Sequence, residues 1–130
     1  MHTTEIKWLS LPEPHDYPAA ADYLTLLYES DNVNAVVARL QSPRNTIVQF
    51  KAKDIFRASR LSLLGVSNSH VKKNLAKITS GKSLSPLLLV RTDHGVVVAD
   101  GYHRLCAVYT FDEDALIPCK ISSMGSGNCY

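Results

Sequence analysis

Hydrophobic and polar positions follow different periods in different parts of the chain, and each change of period marks a change of element. Between Asp16 and Tyr28, the residues Tyr17, Ala20, Ala21, Leu24, Leu27 and Tyr28 fall at helical spacing. Asp16 is expected to cap this helix, whose first turn tolerates Pro18. A second stripe, Val33, Val36, Val37 and Leu40, repeats at i, i+3, i+4 and i+7 after a cap at Ser30 or Asp31, and stops before Ser42-Pro43. The two stripes predict an N-terminal helical hairpin packed on whatever follows.

The period then shortens. Thr46-Ile47-Val48-Gln49-Phe50-Lys51 is rich in β-branched residues and predicts a strand, followed by a turn or one-turn helix at Ala52 to Phe56. Ser67 or Asn68 opens a helix with Val71, Leu75 and Ile78 on one face, and Gly81 stops it. Leu87-Leu88-Leu89-Val90 is an unbroken apolar run, as in a strand covered on both sides. The turn Asp93-His94-Gly95 joins it to Val96-Val97-Val98-Ala99 as a hairpin. Helical spacing returns at Tyr102, Leu105, Cys106 and Tyr109. Ile117-Pro118-Cys119-Lys120-Ile121 closes the series, as an edge strand because Pro118 cannot donate to a ladder. The class is α+β, a small mixed β-sheet with packed helices, since strict β-α-β alternation is lacking. Residues 1–45 form the hairpin, 46–122 the core and 123–130 a flexible Gly/Ser-rich tail, in one compact domain.

At 130 residues, such a domain buries roughly two-thirds of its unfolded surface and needs no staples. Cys106, Cys119 and Cys129 show no metal-like spacing and their number is odd, which favours a reducing cytoplasm. The stretch Met1 to Lys7 lacks the pattern of a leader, and no run reaches the ~20 apolar residues of a membrane span.

Charge is near balance, 14 basic against 12 acidic side chains, but it is segregated. Residues 51–91 carry nine basic groups and the single carboxylate Asp54, a net +8, and the remainder is −6. Such a field suits an anionic partner: a nucleotide, a phosphorylated metabolite or nucleic acid. A solvated lysine-rich helix face gives the same pattern.

One junction stands out chemically. Asp100-Gly101-Tyr102-His103-Arg104 places polar groups between two apolar runs, where a strand becomes a helix. A helix starting near Gly101 leaves N–H groups unpaired at its positive end, and glycine lets an anion approach. Arg104 would fork onto phosphate oxygens and His103 would add a donor. Asp100 would cap the helix, or orient His103 or a metal ion.

From Thr46 to Ile121, about three-fifths of the chain, the order of elements together with this box resembles the ParB/sulfiredoxin superfamily. The matching features are Val48 to Ile55, a helix ending in Gly, Leu84-Ser85-Pro86 before a hydrophobic strand, a second strand, and the Asp-Gly-x-His-Arg box. The resemblance implies that Gly101 and Arg104 receive nucleotide phosphates, as of CTP in ParB proteins or ATP in sulfiredoxins and free serine kinases, with His103 matching the His-Arg pair of the latter two. Tyr102 stands where sulfiredoxins carry their catalytic cysteine, so sulfinic acid reduction is not expected. The Glu that follows the box glycine in ParB proteins, and their later DNA-reading segments, are lacking too.

The leading expectation is a nucleotide-binding NTP hydrolase or phosphotransferase. Asp54 would be the base, His103 would neutralise developing charge, and Mg²⁺ would be held mainly by the phosphates of ATP or CTP and by Asp100. Ser85, Arg60, Lys72 and Tyr102 complete the candidate nucleotide-binding set, and no dedicated metal site is expected. The alternatives are a non-catalytic nucleic-acid-binding module, with Lys72, Lys73, Lys77 and Lys82 on backbone phosphates, and a protein-interaction module, including a homodimer.

Overall fold

The computed structural model describes residues 5–124. In chain order these form β1 (Lys7–Trp8), α1 (Asp16–Leu24), α2 (Ser30–Gln41), β2 (Val48–Lys51), α3 (Ala52–Ser59), α4 (Ser69–Thr79), β3 (Ser83–Leu84), β4 (Leu87–Thr92), β5 (Gly95–Asp100), α5 (Tyr102–Phe111) and β6 (Leu116–Ser123). Strands β2, β6, β4 and β5 lie in that order in one sheet, and β1 and β3 make a small parallel pair. β6 runs parallel to β4, whereas β2 with β6 and β4 with β5 are antiparallel, so the sheet is mixed and the fold is α+β.

The apolar run at Leu87–Val90 explains the layering. Successive side chains of a strand point to opposite faces, so a run without polar interruption must be covered on both. Leu87 and Leu89 enter the core beneath α3, α4 and α5, with Ile55, Val71, Ile78, Leu105 and Ile117. Leu88 and Val90 enter a second core with Tyr17, Ala20 and Leu24 of α1 and Val33, Val36 and Leu40 of α2. The helical hairpin is therefore the cover of one sheet face. Tyr17 belongs to this cover, and Trp8 of β1 packs against the opposite core.

Several local expectations change. β6 is an inner strand, between β2 and β4. Pro118 pairs with Gln49 of β2, while the β4 ladder starts one residue later at Leu87 and Cys119, so the missing N–H falls beyond the end of that ladder. The segment at Ala52 continues past Phe56 to Ser59, and β2 starts at Val48 rather than Thr46. Glu29, not Ser30 or Asp31, occupies the N-cap of α2. Ser122 and Ser123 belong to β6, where Arg39 Nε donates to Ser122 Oγ at 3.2 Å and Nη2 to the Ser123 carbonyl at 2.6 Å. The rest of the expected tail, 125–130, lies outside the described residues.

Other signals are realised directly. Asn68 Oδ1 accepts from the His70 and Val71 amides, which caps α4. Gly81, at φ +78°, ends it in a Schellman arrangement: Lys82 N–H donates to Lys77 C=O at 2.9 Å and Gly81 N–H to Ile78 C=O at 3.2 Å.

Candidate functional site

β5 ends at Asp100 and α5 begins at Tyr102, so Gly101 alone makes the corner. Its φ of +113° is a left-handed conformation open to glycine. A Cβ there would lie 2.7 Å from Leu87 Cγ and 3.0 Å from Arg104 Nη2. One side of the corner is thus filled by the core. The other opens on a cleft of about 400 Å³ between α1 and the start of α5, lined by Ala19, Tyr23, Leu61, Asp100, Tyr102 and His103 among others.

Arg104 corrects the expectation of a phosphate fork. Its Nη2 is 3.0 Å from Asp100 Oδ2 and also donates to the Pro86 carbonyl at 3.3 Å. Only 17% of the side chain is exposed, and Nε is buried without a hydrogen-bond partner among the described residues. Arg104 ties the first turn of α5 to the entrance of β4, and it does not line the cleft.

Asp100 is likewise spent inside the fold. Burial pushes its carboxyl above the ordinary aspartate range, Arg104 pulls the other way, and neighbouring Asp16 adds to the rise. A carboxylate engaged by guanidinium does not fit the role of Mg²⁺ ligand, nor does it cap α5. Among the described residues, no group of three or more His, Cys, Asp or Glu is placed to hold a metal ion.

Ser85 and Asp16 complete this buried network. Asp16 is 3% exposed and Ser85 5%. The Ser85 hydroxyl donates to Asp16 Oδ2, which also accepts from the Glu13 N–H at 2.9 Å. Asp16 therefore does not cap its helix but reaches back along the chain, and Ser85 is not a free phosphate donor. The link between residues 16 and 85 was missed in the sequence, where only the polarity of Ser85 beside a strand entrance hinted at it.

The imidazoles form the more open part of the site. His103 and His70, each the second residue of its helix, stand with ring centroids 4.8 Å apart, and the Tyr102 ring is 5.6 Å from His103. Burial and the neighbouring His70 hold His103 below the usual histidine pKa, which favours its neutral form. The Tyr102 hydroxyl donates to the Ser62 carbonyl at 2.6 Å and pins the connection between α3 and α4; burial raises its pKa.

The two helix starts differ. α4 has the Asn68 side chain on its first amides, but Gly101 supplies none to α5. The N–H groups of Tyr102, His103 and Arg104 have no hydrogen-bond partner among the described residues.

The remaining candidates lie elsewhere. Asp54 is exposed and lines a separate pocket with Arg91 and Val96, at the hairpin end of the sheet. Val96 and Asp100 are four residues apart on β5, roughly 13 Å at strand rise, so Asp54 and His103 are not brought together. Arg60 is the exposed C-cap of α3 at φ +58°, and Lys72 is exposed on α4. Asp112, Glu113 and Asp114, between α5 and β6, are exposed, with Asp114 held 2.6 Å from Lys53 Nζ. Cys106 and Cys119 are buried core thiols, and burial pushes Cys119 up to about 12.

No helix among the described residues is long and apolar enough to cross a membrane. Compared with known proteins, the chain matches no family model, no curated protein and no solved structure. The likeness to the ParB/sulfiredoxin superfamily accordingly rests on the residues quoted for it.

Proposed function

We propose that the cleft at the start of α5 binds the phosphate of a nucleotide. One observation carries this reading: among the described residues the first three amides of α5 are unpaired and uncapped by any side chain, and Gly101, Tyr102 and His103 of this corner line the cleft. Unpaired amides at the positive end of a ten-residue helix favour an anion. His103 and His70 stand beside them as further donors, and protonation of His103 would strengthen the contact. Tyr23, 41% exposed, and Leu61 supply an apolar wall on which a base can stack.

The proposal is of binding and not of turnover. Asp54 lies at the far end of the sheet, Arg104 is occupied by Asp100 and Pro86, and the carboxylate that shares the cleft with His103, Asp100, is engaged by Arg104. The buried network of Asp16, Ser85, Asp100 and Arg104 instead holds the corner in shape.

Calorimetry with ATP, CTP, ADP and tripolyphosphate tests the reading. Saturable heat that is weakened in His103→Ala supports it. Absence of heat with all four removes it, and hydrolysis of ATP or CTP abolished by His103→Ala would replace binding with catalysis.

A second reading rests on a different observation. Lys72, Lys73, Lys77 and Lys82 are all exposed, and none is in an ion pair among the described residues. They suit a nucleic-acid backbone, whose binding would fall steeply with salt. A mobility shift that is equal at low and moderate salt excludes this reading.

A further inference from the structure

A second, larger cleft lies on the hairpin face of the molecule, away from the start of α5. Its volume is about 670 Å³, and Leu11, Pro12, Pro43, Ile47, Tyr17 and Lys120 are among its walls. None of its lining residues is acidic. Lys120 is 4% exposed, the one buried lysine among the described residues. It stands on inner strand β6, between Cys119 and Ile121, which face the opposite core.

The partners of Lys120 do not neutralise it. Its Nζ donates to the Leu40 carbonyl at 3.1 Å and lies 5.9 Å from the centroid of the Tyr17 ring. The carbonyl belongs to the last turn of α2, where partial negative charge collects, and the ring face adds a weak attraction. Both are fractions of a counter-charge. Lys120 is in no salt bridge among the described residues, and burial lowers its pKa. The Tyr17 hydroxyl, on the same cleft, also has no hydrogen-bond partner among the described residues. A buried cation without an anion is costly, and a cleft is the route by which an anion can reach it.

We propose that this cleft is a binding site for a small apolar monocarboxylate, with the carboxylate on Lys120 Nζ and the Tyr17 hydroxyl and the hydrocarbon body against Pro12, Pro43 and Ile47. A carboxylate suits two donor residues lining one cleft, and the apolar walls favour a flat or short hydrocarbon over a polyanion such as a nucleotide.

Titration with 2-naphthoate and its neutral analogue 2-naphthamide, followed by calorimetry and NMR, tests the site. The carboxylate should bind at least about tenfold tighter than the amide, as one charge-assisted contact requires. Lys120→Met should erase that preference and leave amide binding in place, whereas Lys120→Arg should keep it and Tyr17→Phe should reduce it a few-fold. Should Lys120→Met fail to fold, the wild-type spectrum decides, with carboxylate-specific shifts required at Lys120 and Tyr17. Equal affinity for the two probes, no binding of either, a preference that survives in Lys120→Met, or shifts confined to other surfaces would each overturn the proposal.

Discussion

Arg104 Nη2 and Asp100 Oδ2 meet at 3.0 Å across the first turn of α5, with both side chains more than four-fifths buried. The contact turns the residue expected to grip a ligand into a clamp on the strand-to-helix corner. Removing one partner of such a pair leaves the other buried and uncompensated. Asp100→Ala is expected to destabilise the fold by about 3–5 kcal/mol. In a denaturation series, the double variant Asp100→Ala with Arg104→Met should be less destabilised than the sum of the two singles. Strict additivity would show that the pair is not coupled.

Ser85 has a comparable role one step further in. Its hydroxyl donates to Asp16 Oδ2 and joins α1 to the entrance of β4. Ser85→Ala should cost about 2 kcal/mol, since a buried carboxylate loses a donor. It should leave nucleotide affinity unchanged at temperatures where the variant is folded. A large loss of affinity with normal stability would return Ser85 to the binding set.

Gly101 is constrained twice, by its φ of +113° and by Leu87 Cγ at 2.7 Å from a Cβ placed there. Gly101→Ala should cost about 2 kcal/mol from backbone strain, and more from the clash. Trimming the neighbour with Leu87→Ala should not rescue it, because the backbone strain stays and a cavity is added. Thermal unfolding of the two singles and the double checks this.

The hairpin, the helix at Ser69 and the strands at Leu87 and Val96 were legible because one local period dominated each. The inner position of β6 was not. Pro118 reads as an edge signal, and only the staggered ladder, in which β4 pairing begins at Cys119, makes it harmless between two neighbours. The box was legible as a strand-to-helix junction with an open amide end. The occupation of Arg104 was not, because it depends on Asp100 and Pro86 brought together by strand pairing, and helical spacing alone put Asp100 and Arg104 on one side without saying which would face the cleft. Lys120 carried a signal that went unread, a lysine in the alternation of a strand whose neighbours are core residues.

His103 links site and fold through protons. Its folded-state pKa lies below its ordinary 6.5, so the native state binds fewer protons than the unfolded chain just below that value. Stability from this group is therefore present above about pH 6.5 and declines as pH falls below it. Phosphate favours the charged imidazole and so acts in the opposite sense. Nucleotide affinity should rise as pH drops from 7.5 towards about 6, and His103→Gln should flatten both profiles. Affinity that is independent of pH in the wild type would remove His103 from the contact.

Titration of ¹⁵N-labelled protein with ATP, and in parallel with adenosine, bears most directly on the proposed anion site at the start of α5. ATP should shift the Tyr102 and His103 amides saturably and downfield, with the Tyr23 ring following, while adenosine leaves those amides in place. Amides of α5 that stay unmoved by ATP, or that respond equally to adenosine, would contradict the site.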